Sequence, residues 1–158
     1  MKEKLNNKKG FTLVELLVVI GIIVILLSVI LIAVDPAKRL SQARDAVRHQ
    51  DVRGLLEATT EYIVDNNGSF PAGLDSVDTG VQVLGTGASC GSDCAGETVT
   101  GCLDLSASLV EDYLAAIPQD PLSGTEENTG YAINKTAGNR ISIVSCTPEI
   151  ATEISAQR

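Results

Sequence analysis

The first part of the chain is one long apolar run. Of the 24 residues from Phe11 to Val34, only Thr12, Glu15 and Ser28 are polar. At a helical rise of about 1.5 Å per residue the run extends roughly 36 Å, more than the hydrocarbon thickness of about 30 Å. A cleavable secretory signal is the alternative, but its apolar core has only about 7 to 15 residues. The pattern therefore predicts a membrane-spanning helix that carries one carboxylate near its start.

The next part of the chain, residues 35–65, predicts a second stretch of helix. It holds a single glycine, Gly54, and a single proline, Pro36, and it mixes five basic with six acidic residues. This composition is typical of a solvent-facing helix that continues the span. Either Asp35 caps a new helix that begins at Pro36, or Pro36 kinks one continuous helix. The sequence leaves both possibilities open.

Apolar residues follow two stripes along this second helix. At about 100° per residue, Leu40, Ala43 and Val47 share one side. A second stripe lies roughly a quarter turn or more away and consists of Val52, Leu55, Leu56, Tyr62 and Ile63. We expect the lower half of the helix to pack against other chains and the upper half against this chain's own folded domain. A single stripe that drifts around the helix along one partner is the alternative.

A change of composition marks the third region, residues 66–158. The helix is expected to end at Asn66-Asn67-Gly68, which tolerates the left-handed conformation. The region has 11 of the 14 glycines and few aromatic residues, so it needs the long helix as a wall and cross-links for stability. We expect a strand at 81–84, a helix at 106–116, and a hairpin of strands 130–134 and 140–145. The predicted fold class is α+β, a long N-terminal α-helix packed on a small antiparallel β-sheet head.

Four cysteines can supply those cross-links. They lie in the C-terminal half of the chain, at Cys90, Cys94, Cys102 and Cys146. Their even number is typical of disulfides formed in an oxidising environment. A zinc site is the alternative, but the paired C-x2-C spacing of such sites is missing. We expect two disulfides, with the pairing left open, and a C-terminal domain outside the cytoplasm.

Charge bears on orientation and on partners. Residues 1–10 carry four lysines against one glutamate, which favours a cytoplasmic N-terminus. Basic residues also follow the span, so counting lysines and arginines does not settle the orientation; they are Lys38, Arg39, Arg44, Arg48 and Arg53. Residues 66–158 have three basic and twelve acidic side chains, a net charge of 3 − 12 = −9, so direct nucleic acid binding is not expected.

No pattern in the sequence indicates an active site. The single histidine, His49, lies between Arg48 and Gln50 on the charged helix, which is typical of a solvated face. The sequence has no histidine partner for a nucleophile, no glycine-rich phosphate loop and no histidine-based metal motif. We expect no catalytic residues, no metal site and no cofactor, and the protein is predicted not to be an enzyme.

The N-terminal residues resemble a known signal. Lys8-Lys9-Gly10-Phe11-Thr12-Leu13-Val14-Glu15 and the apolar run after it resemble the type III signal of type IV pilins and type II secretion pseudopilins. The resemblance implies that a prepilin peptidase cuts between Gly10 and Phe11 on the cytoplasmic side and methylates the new amine of Phe11. It also implies that, with an inner-membrane assembly platform, the subunits leave the bilayer and form a helical filament of many copies.

A looser resemblance covers the end of the long helix and one loop. The segments Tyr62–Pro71 and Tyr113–Tyr131 are similar to the helix exit and the Pro-Asp-Pro loop of bacterial pilins and the major pseudopilin, in which this loop binds calcium. Oxygen ligands here would come from Asp120, Ser123, Thr125, Glu126 and Glu127. Calcium needs about six to eight converging oxygens, so a solvated acidic loop is the favoured interpretation.

The carboxylate of Glu15 has a physical cost that the resemblance explains. A charge inside the bilayer costs about 2.5 to 3.5 kcal/mol on insertion scales. Cleavage after Gly10 would create a positive amine at Phe11, which can pair with Glu15 of another copy in a low-dielectric environment. We therefore expect Glu15 to recruit and align subunits during assembly. The alternative is that Glu15 only offsets the partial charge at the start of its own helix.

These observations predict a structural subunit of a type IV pilus-like extracellular filament. The predicted domains are a cleaved leader (1–10), a transmembrane and polymerisation helix (11–34), an amphipathic helix (35–65) and a disulfide-stapled head (66–158). Before assembly the precursor would span the inner membrane once, with its head outside the cytoplasm. One alternative is a pseudopilin or minor pilin of a type II secretion or DNA-uptake system. Another is a membrane-anchored binding domain that never polymerises.

Overall fold

The computed structural model describes residues 10–75, 80–88, 90, 94 and 101–158. The chain divides into two compact units, Met1–Arg39 and Leu40–Arg158. We call the second unit the head; it includes residues 40–65 in addition to the head predicted from the sequence at 66–158.

The first unit is built around helix α1 (Leu13–Val34), which Asp35 ends in the left-handed conformation with φ 46°. The Asp35 carboxylate accepts a hydrogen bond from Lys38 N at 3.3 Å, and the Asp35 carbonyl accepts one from Arg39 N at 3.2 Å. Asp35 therefore also caps helix α2 (Pro36–Asp65), in which proline occupies the first position. The structure thus has a newly capped helix rather than one continuous helix kinked at Pro36.

Helix α2 ends where its sequence predicts. Asn67 and Gly68 adopt the left-handed conformation, with φ of 54° and 86°. Gly68 N donates a hydrogen bond to the carbonyl of Ile63 at 2.7 Å. This bond satisfies a carbonyl of the last turn, and glycine takes the left-handed conformation without a Cβ clash. The predicted helix end is confirmed.

In the described part of the chain, four short strands form one antiparallel sheet, in the order β1 (Gln82–Val83), β2 (Tyr131–Lys135), β3 (Ile141–Ser145) and β4 (Ser155–Gln157). Strands β2 and β3 are the predicted hairpin, with Ile133 opposite Ile143. Strand β1 lies within the predicted strand at 81–84. No pattern predicts β4, because its residues Ser-Ala-Gln include neither a β-branched nor an aromatic residue.

Helix α3 (Ser106–Leu109) is shorter than the predicted helix at 106–116. Val110 is already extended, and Glu111 has a φ of 78°, so the helix does not continue. Leu109 is fully buried all the same. The apolar pattern of the segment is used for packing, and the predicted α+β fold class is confirmed.

The upper half of α2 forms one wall of the hydrophobic core. Val52 and Leu55 are at most 1% exposed, and the core that they join includes Leu84, Leu105, Leu109, Tyr131, Ile133, Ile143 and Ile154. The other stripe is uncovered, because Leu40 is 58% and Val47 is 43% exposed. Packing of the upper stripe on residues 66–158 is confirmed. The partner of the lower stripe remains a prediction.

Candidate functional site

The residues predicted for processing lie just before α1. Gly10 and Phe11 precede the first helical residue, and the Phe11 side chain is 87% exposed. A peptidase needs an accessible, non-helical backbone at the bond that it cuts. The Gly10–Phe11 junction meets that requirement in the described structure.

Thr12 and Glu15 form a capping box at the start of α1. Glu15 Oε2 accepts hydrogen bonds from Thr12 N and Thr12 Oγ1, both at 2.8 Å. In return Glu15 N donates to Thr12 Oγ1 at 3.2 Å. Two N–H groups that the helix start would leave free are thereby satisfied. In the single chain, Glu15 therefore serves its own helix start.

Within residues 10–75 and the rest of the described chain, Glu15 has no counter-ion. Thr12 is a neutral donor, so the carboxylate keeps its negative charge. Among the residues that the structure describes, Glu15 Oε1 accepts no hydrogen bond, whereas Oε2 accepts two. One oxygen is held by the helix start, and the other remains an acceptor for a cation.

Helix α1 presents apolar side chains on every side. None of its 22 residues is buried, and its mean hydropathy reaches 3.5 over an 18-residue window. Ser28 Oγ donates to the carbonyl of Ile25 at 2.7 Å, so this hydroxyl is satisfied without water. The helix is long and apolar enough to cross a membrane. Such a surface needs lipid or other chains around it.

The head contains an ion cluster that we define as Arg44, Asp45, Arg48, Asp120 and Glu149. The Arg48 side chain is fully buried and donates to Asp120 through Nε at 2.6 Å and through Nη2 at 3.1 Å. Arg48 Nη1 donates to Asp45 at 2.8 Å and to Glu149 at 2.9 Å. Arg44 Nε donates to Glu149 at 2.5 Å. Three carboxylates therefore surround the Arg48 guanidinium.

The ion cluster ties two loops of the head to α2. Asp45 accepts hydrogen bonds from three successive backbone N–H groups, of residues 149–151, at 3.0, 2.8 and 2.9 Å. Asp120 accepts from Leu122 N at 2.9 Å and from Ser123 N at 3.0 Å. Both carboxylates thus combine a charged partner with backbone donors, the arrangement that favours the ionised form.

The electrostatics of the ion cluster keep its acids ionised. Burial by itself raises the pKa of Asp45, but the backbone N–H groups of residues 149–151 and Arg48 lower it well below its ordinary value. Burial also raises the pKa of Asp120, but the hydrogen bonds from Arg48 and from two backbone N–H groups outweigh this effect. The pKa of Asp120 is therefore lowered. Hydrogen bonds from Arg44 and Arg48 lower the pKa of Glu149 to about 2. The cluster is fully charged at neutral pH.

The ion cluster corrects one expectation from the sequence. Helix α2 was expected to face solvent, yet Arg48 is 0% and Asp45 is 6% exposed. The sequence contains a signal for the burial of Arg48. This residue lies four residues before Val52 and seven before Leu55, on the side of the helix that enters the core. Burial of an arginine is tolerated here because carboxylates pair with its donors.

The loop that carries the candidate calcium ligands also differs from expectation. Asp120 is not solvated but 4% exposed, and both of its oxygens accept from Arg48. Glu126 and Glu127 are exposed. Within the described part of the chain, no group of three or more His, Cys, Asp or Glu side chains is arranged to hold a metal ion. The cation that meets Asp120 is the Arg48 guanidinium.

The four cysteines form two disulfides, Cys90–Cys102 and Cys94–Cys146. The first closes a separation of 12 residues and the second a separation of 52 residues. Cys90 and Cys94 are buried in a small apolar cluster with Val83 of β1. The expectation of two disulfides is confirmed, and the structure selects one of the three pairings that the sequence left open.

Comparison with known proteins bears on the N-terminal segment. A family model described as the prokaryotic N-terminal methylation motif matches residues 5–31. No match was found among curated proteins or among solved structures. The motif is characteristic of type IV pilins and pseudopilins. The chain therefore carries the N-terminal signal of a type IV pilin-like or pseudopilin precursor. The roles of Gly10, Phe11 and Glu15 within that signal stay predictions.

Proposed function

We propose that the chain is the structural subunit of a type IV pilus-like extracellular filament. One observation carries the proposal: Glu15 is the only charged residue between Phe11 and Val34, and it lies at the start of the apolar helix, four residues after Phe11. Glu15 also caps its own helix, but an anchor could complete that capping box with a neutral glutamine and avoid a carboxylate that is costly in lipid. A subunit that must find a partner inside the bilayer needs the negative charge itself.

Processing supplies that partner. Hydrolysis of the Gly10–Phe11 peptide bond by a prepilin peptidase frees an amine at Phe11, and methylation leaves it basic, so it is positively charged at neutral pH. The same cleavage removes the leader with its four lysines. The amine of one copy then pairs with Glu15 of another, through the Oε1 oxygen that the capping box leaves without a donor. Thr12 holds the second oxygen and so orients the carboxylate.

Assembly follows from the surface of α1. All of its sides are apolar and uncovered in the single chain, so the helix remains covered only if contacts with other copies replace lipid as the subunit leaves the bilayer. Apolar contact does not specify axial position, but a charge pair does. The protein acts as a structural element and not as an enzyme, and its partners are further copies, the peptidase and an inner-membrane assembly platform.

The second candidate is a pseudopilin or minor pilin of a type II secretion or DNA-uptake system, since the same N-terminal motif serves both classes. The pairing of Asp120 with Arg48 supports the pilin over a major pseudopilin that binds calcium at this loop. Abundance separates the two, because a major subunit dominates filaments sheared from the cell surface.

The test combines electron microscopy of the cell surface with N-terminal sequencing of sheared material. We expect long filaments whose subunit begins at methylated Phe11. A Glu15→Leu precursor should be processed but should yield no filaments, whereas Ser28→Leu, a polar-to-apolar change in the same helix, should polymerise. A native product that begins at Met1, or abundant filaments from processed Glu15→Leu, contradicts the proposal.

A further inference from the structure

The head has a half-open apolar groove of about 310 Å³. Its lining includes the buried side chains of Leu84, Leu103 and Leu105, together with Val110 and Ile117. A closed apolar cavity of about 150 Å³ is large enough to hold benzene. The groove therefore has room for about two aliphatic side chains of a partner.

The charges at this groove have one sign. Asp104 and Glu126 line it and are exposed, and the described residues of its lining include no lysine, arginine or histidine. Ser106 N, a neutral donor, hydrogen-bonds to Asp104, so the Asp104 carboxylate keeps its charge. An apolar segment that brings positive charge is attracted to such a groove, and one that brings negative charge is repelled.

Charge selects among the apolar side chains that the head itself exposes. Among the residues of the head that the structure describes, the large exposed ones are Leu40, Val47, Val64, Leu122 and Ile150. The last three have acidic residues close by in sequence. Val64 has Glu61 and Asp65, Leu122 has Glu126 and Glu127, and Ile150 has Glu149 and Glu153.

Only Leu40 and Val47 lie in a cationic segment. Residues 38–53 contain five lysines and arginines against two acids. Arg44, Asp45 and Arg48 belong to the ion cluster, in which charges of both signs are paired. Outside the cluster the segment has three exposed cations, Lys38, Arg39 and Arg53, against the single acid Asp51. Apolar contact and charge together therefore single out this stretch of α2.

We propose that the groove of one copy receives the Leu40–Val47 stripe, formed by Leu40, Ala43 and Val47, of a second copy. The proposal rests on the filament function proposed above and adds to it a contact between the head of one subunit and α2 of another. The groove and the stripe are different surfaces of one chain. Pairing them gives a heterologous contact, which propagates into an open filament when the rotation does not close a ring.

The test uses charge at position 47 in the full-length chain. Val47→Glu and Val47→Lys both remove the apolar side chain, but only glutamate meets the carboxylates Asp104 and Glu126. We expect the yield of sheared filaments from Val47→Glu to be about tenfold or more below that from Val47→Lys, because like charges at an interface are strongly disfavoured. Adding Glu126→Lys to Val47→Glu should restore the yield. Leu122→Glu and Ile150→Glu are matched controls and should polymerise like wild type.

A second measurement does not depend on the folding of charged variants. A photo-activatable phenylalanine analogue at position 47 of the full chain should cross-link, in sheared filaments, to the groove of another copy, whose lining residues lie within 84–86, 103–119, 126 and 129. Equal yields from Val47→Glu and Val47→Lys, or cross-links that avoid these groove residues in normal filaments, overturn the inference while leaving the filament function intact. If wild type makes no filaments, the proposed function fails and this contact fails with it.

Discussion

The Arg48 guanidinium and the Asp120 carboxylate form a bidentate ion pair across 72 residues of sequence, with neither side chain exposed to solvent. A buried pair of this kind adds little over apolar packing, but removing one member leaves a charge buried without compensation. Arg48 therefore links α2 to the loop of Asp120 and, through Asp45, to residues 149–151. The head depends on this arginine, which its spacing from Val52 and Leu55 places on the core side of α2 although arginine is a residue type that is mostly exposed.

Replacing Arg48 should destabilise the head strongly. In Arg48→Met, Asp45 and Asp120 stay buried without their cation, and we expect a loss of about 3 to 5 kcal/mol in the free energy of unfolding. The matched control is Arg53→Met on the exposed side of α2. This variant should change the free energy of unfolding by less than about 0.5 kcal/mol. Denaturant unfolding of the full chain in detergent measures both. A loss below about 1 kcal/mol in Arg48→Met would show that the cluster relaxes or takes up water.

Acid should weaken the head through the same cluster. The pKa values of Asp45, Asp120 and Glu149 are lowered from ordinary values of 3.8, 3.8 and 4.5, that of Glu149 to about 2. A lowered pKa contributes stability that is present above the unfolded-state pKa and is lost as pH falls through the folded-state pKa. We therefore expect the melting temperature to fall between about pH 5 and pH 2.

A substitution can show whether the ion cluster causes the fall of the melting temperature in acid. Asp45→Asn cannot be protonated at this position, so its melting temperature should be lower at neutral pH and should fall less steeply in acid. Arg140→Gln, an exposed change outside the cluster, is the control and should keep the wild-type slope. Equal slopes in Asp45→Asn and wild type would mean that other acids control the transition.

The two disulfides should contribute unequally to stability. In the chain-entropy description, a cross-link over 52 residues restrains the unfolded chain more than one over 12 residues. Removing Cys94 and Cys146 together should therefore cost about 1 kcal/mol more than removing Cys90 and Cys102 together. Denaturant unfolding of the two paired alanine variants measures the difference. The opposite order would indicate that local packing around the shorter loop dominates.

A buried hydroxyl joins the sheet to α2. Tyr131 is fully buried, and its Oη donates to Asp51 Oδ2 at 2.7 Å. Burial raises the pKa of Asp51 above its ordinary value, and this hydrogen bond offsets only part of the rise. Tyr131→Phe removes a hydrogen bond to a charged group, and we expect a loss of about 1.5 to 3 kcal/mol.

The control for that change is a second tyrosine with a carboxylate partner. Tyr113 Oη donates to Asp65 at 3.2 Å at an exposed site. Water can replace that bond, so Tyr113→Phe should cost less than about 1 kcal/mol. Both variants are compared by thermal unfolding. Equal losses would show that burial of the Tyr131 bond has no consequence for stability.

Local patterns predicted the elements whose stability is local. The end of α2 at Gly68 follows from the conformation of glycine, and the β2–β3 hairpin follows from alternating residues around a turn. Helix α3 is shorter than its apolar pattern, because Val110 is extended and Glu111 has a positive φ, although Leu109 is fully buried. Strand β4 has no pattern of its own and exists because the exposed edge of β3 pairs with it.

By itself the sequence determined the apolar helix, the position of Glu15 within it, the processing signal and the α+β class, since length, periodicity and composition act over neighbouring residues. Tertiary structure decided the disulfide pairing, the burial of Arg48 and the use of Asp120 as its counter-ion. Each of these joins residues far apart in the chain. Their energy comes from desolvation and charge, which depend on what surrounds a side chain in the fold and not on its neighbours in sequence.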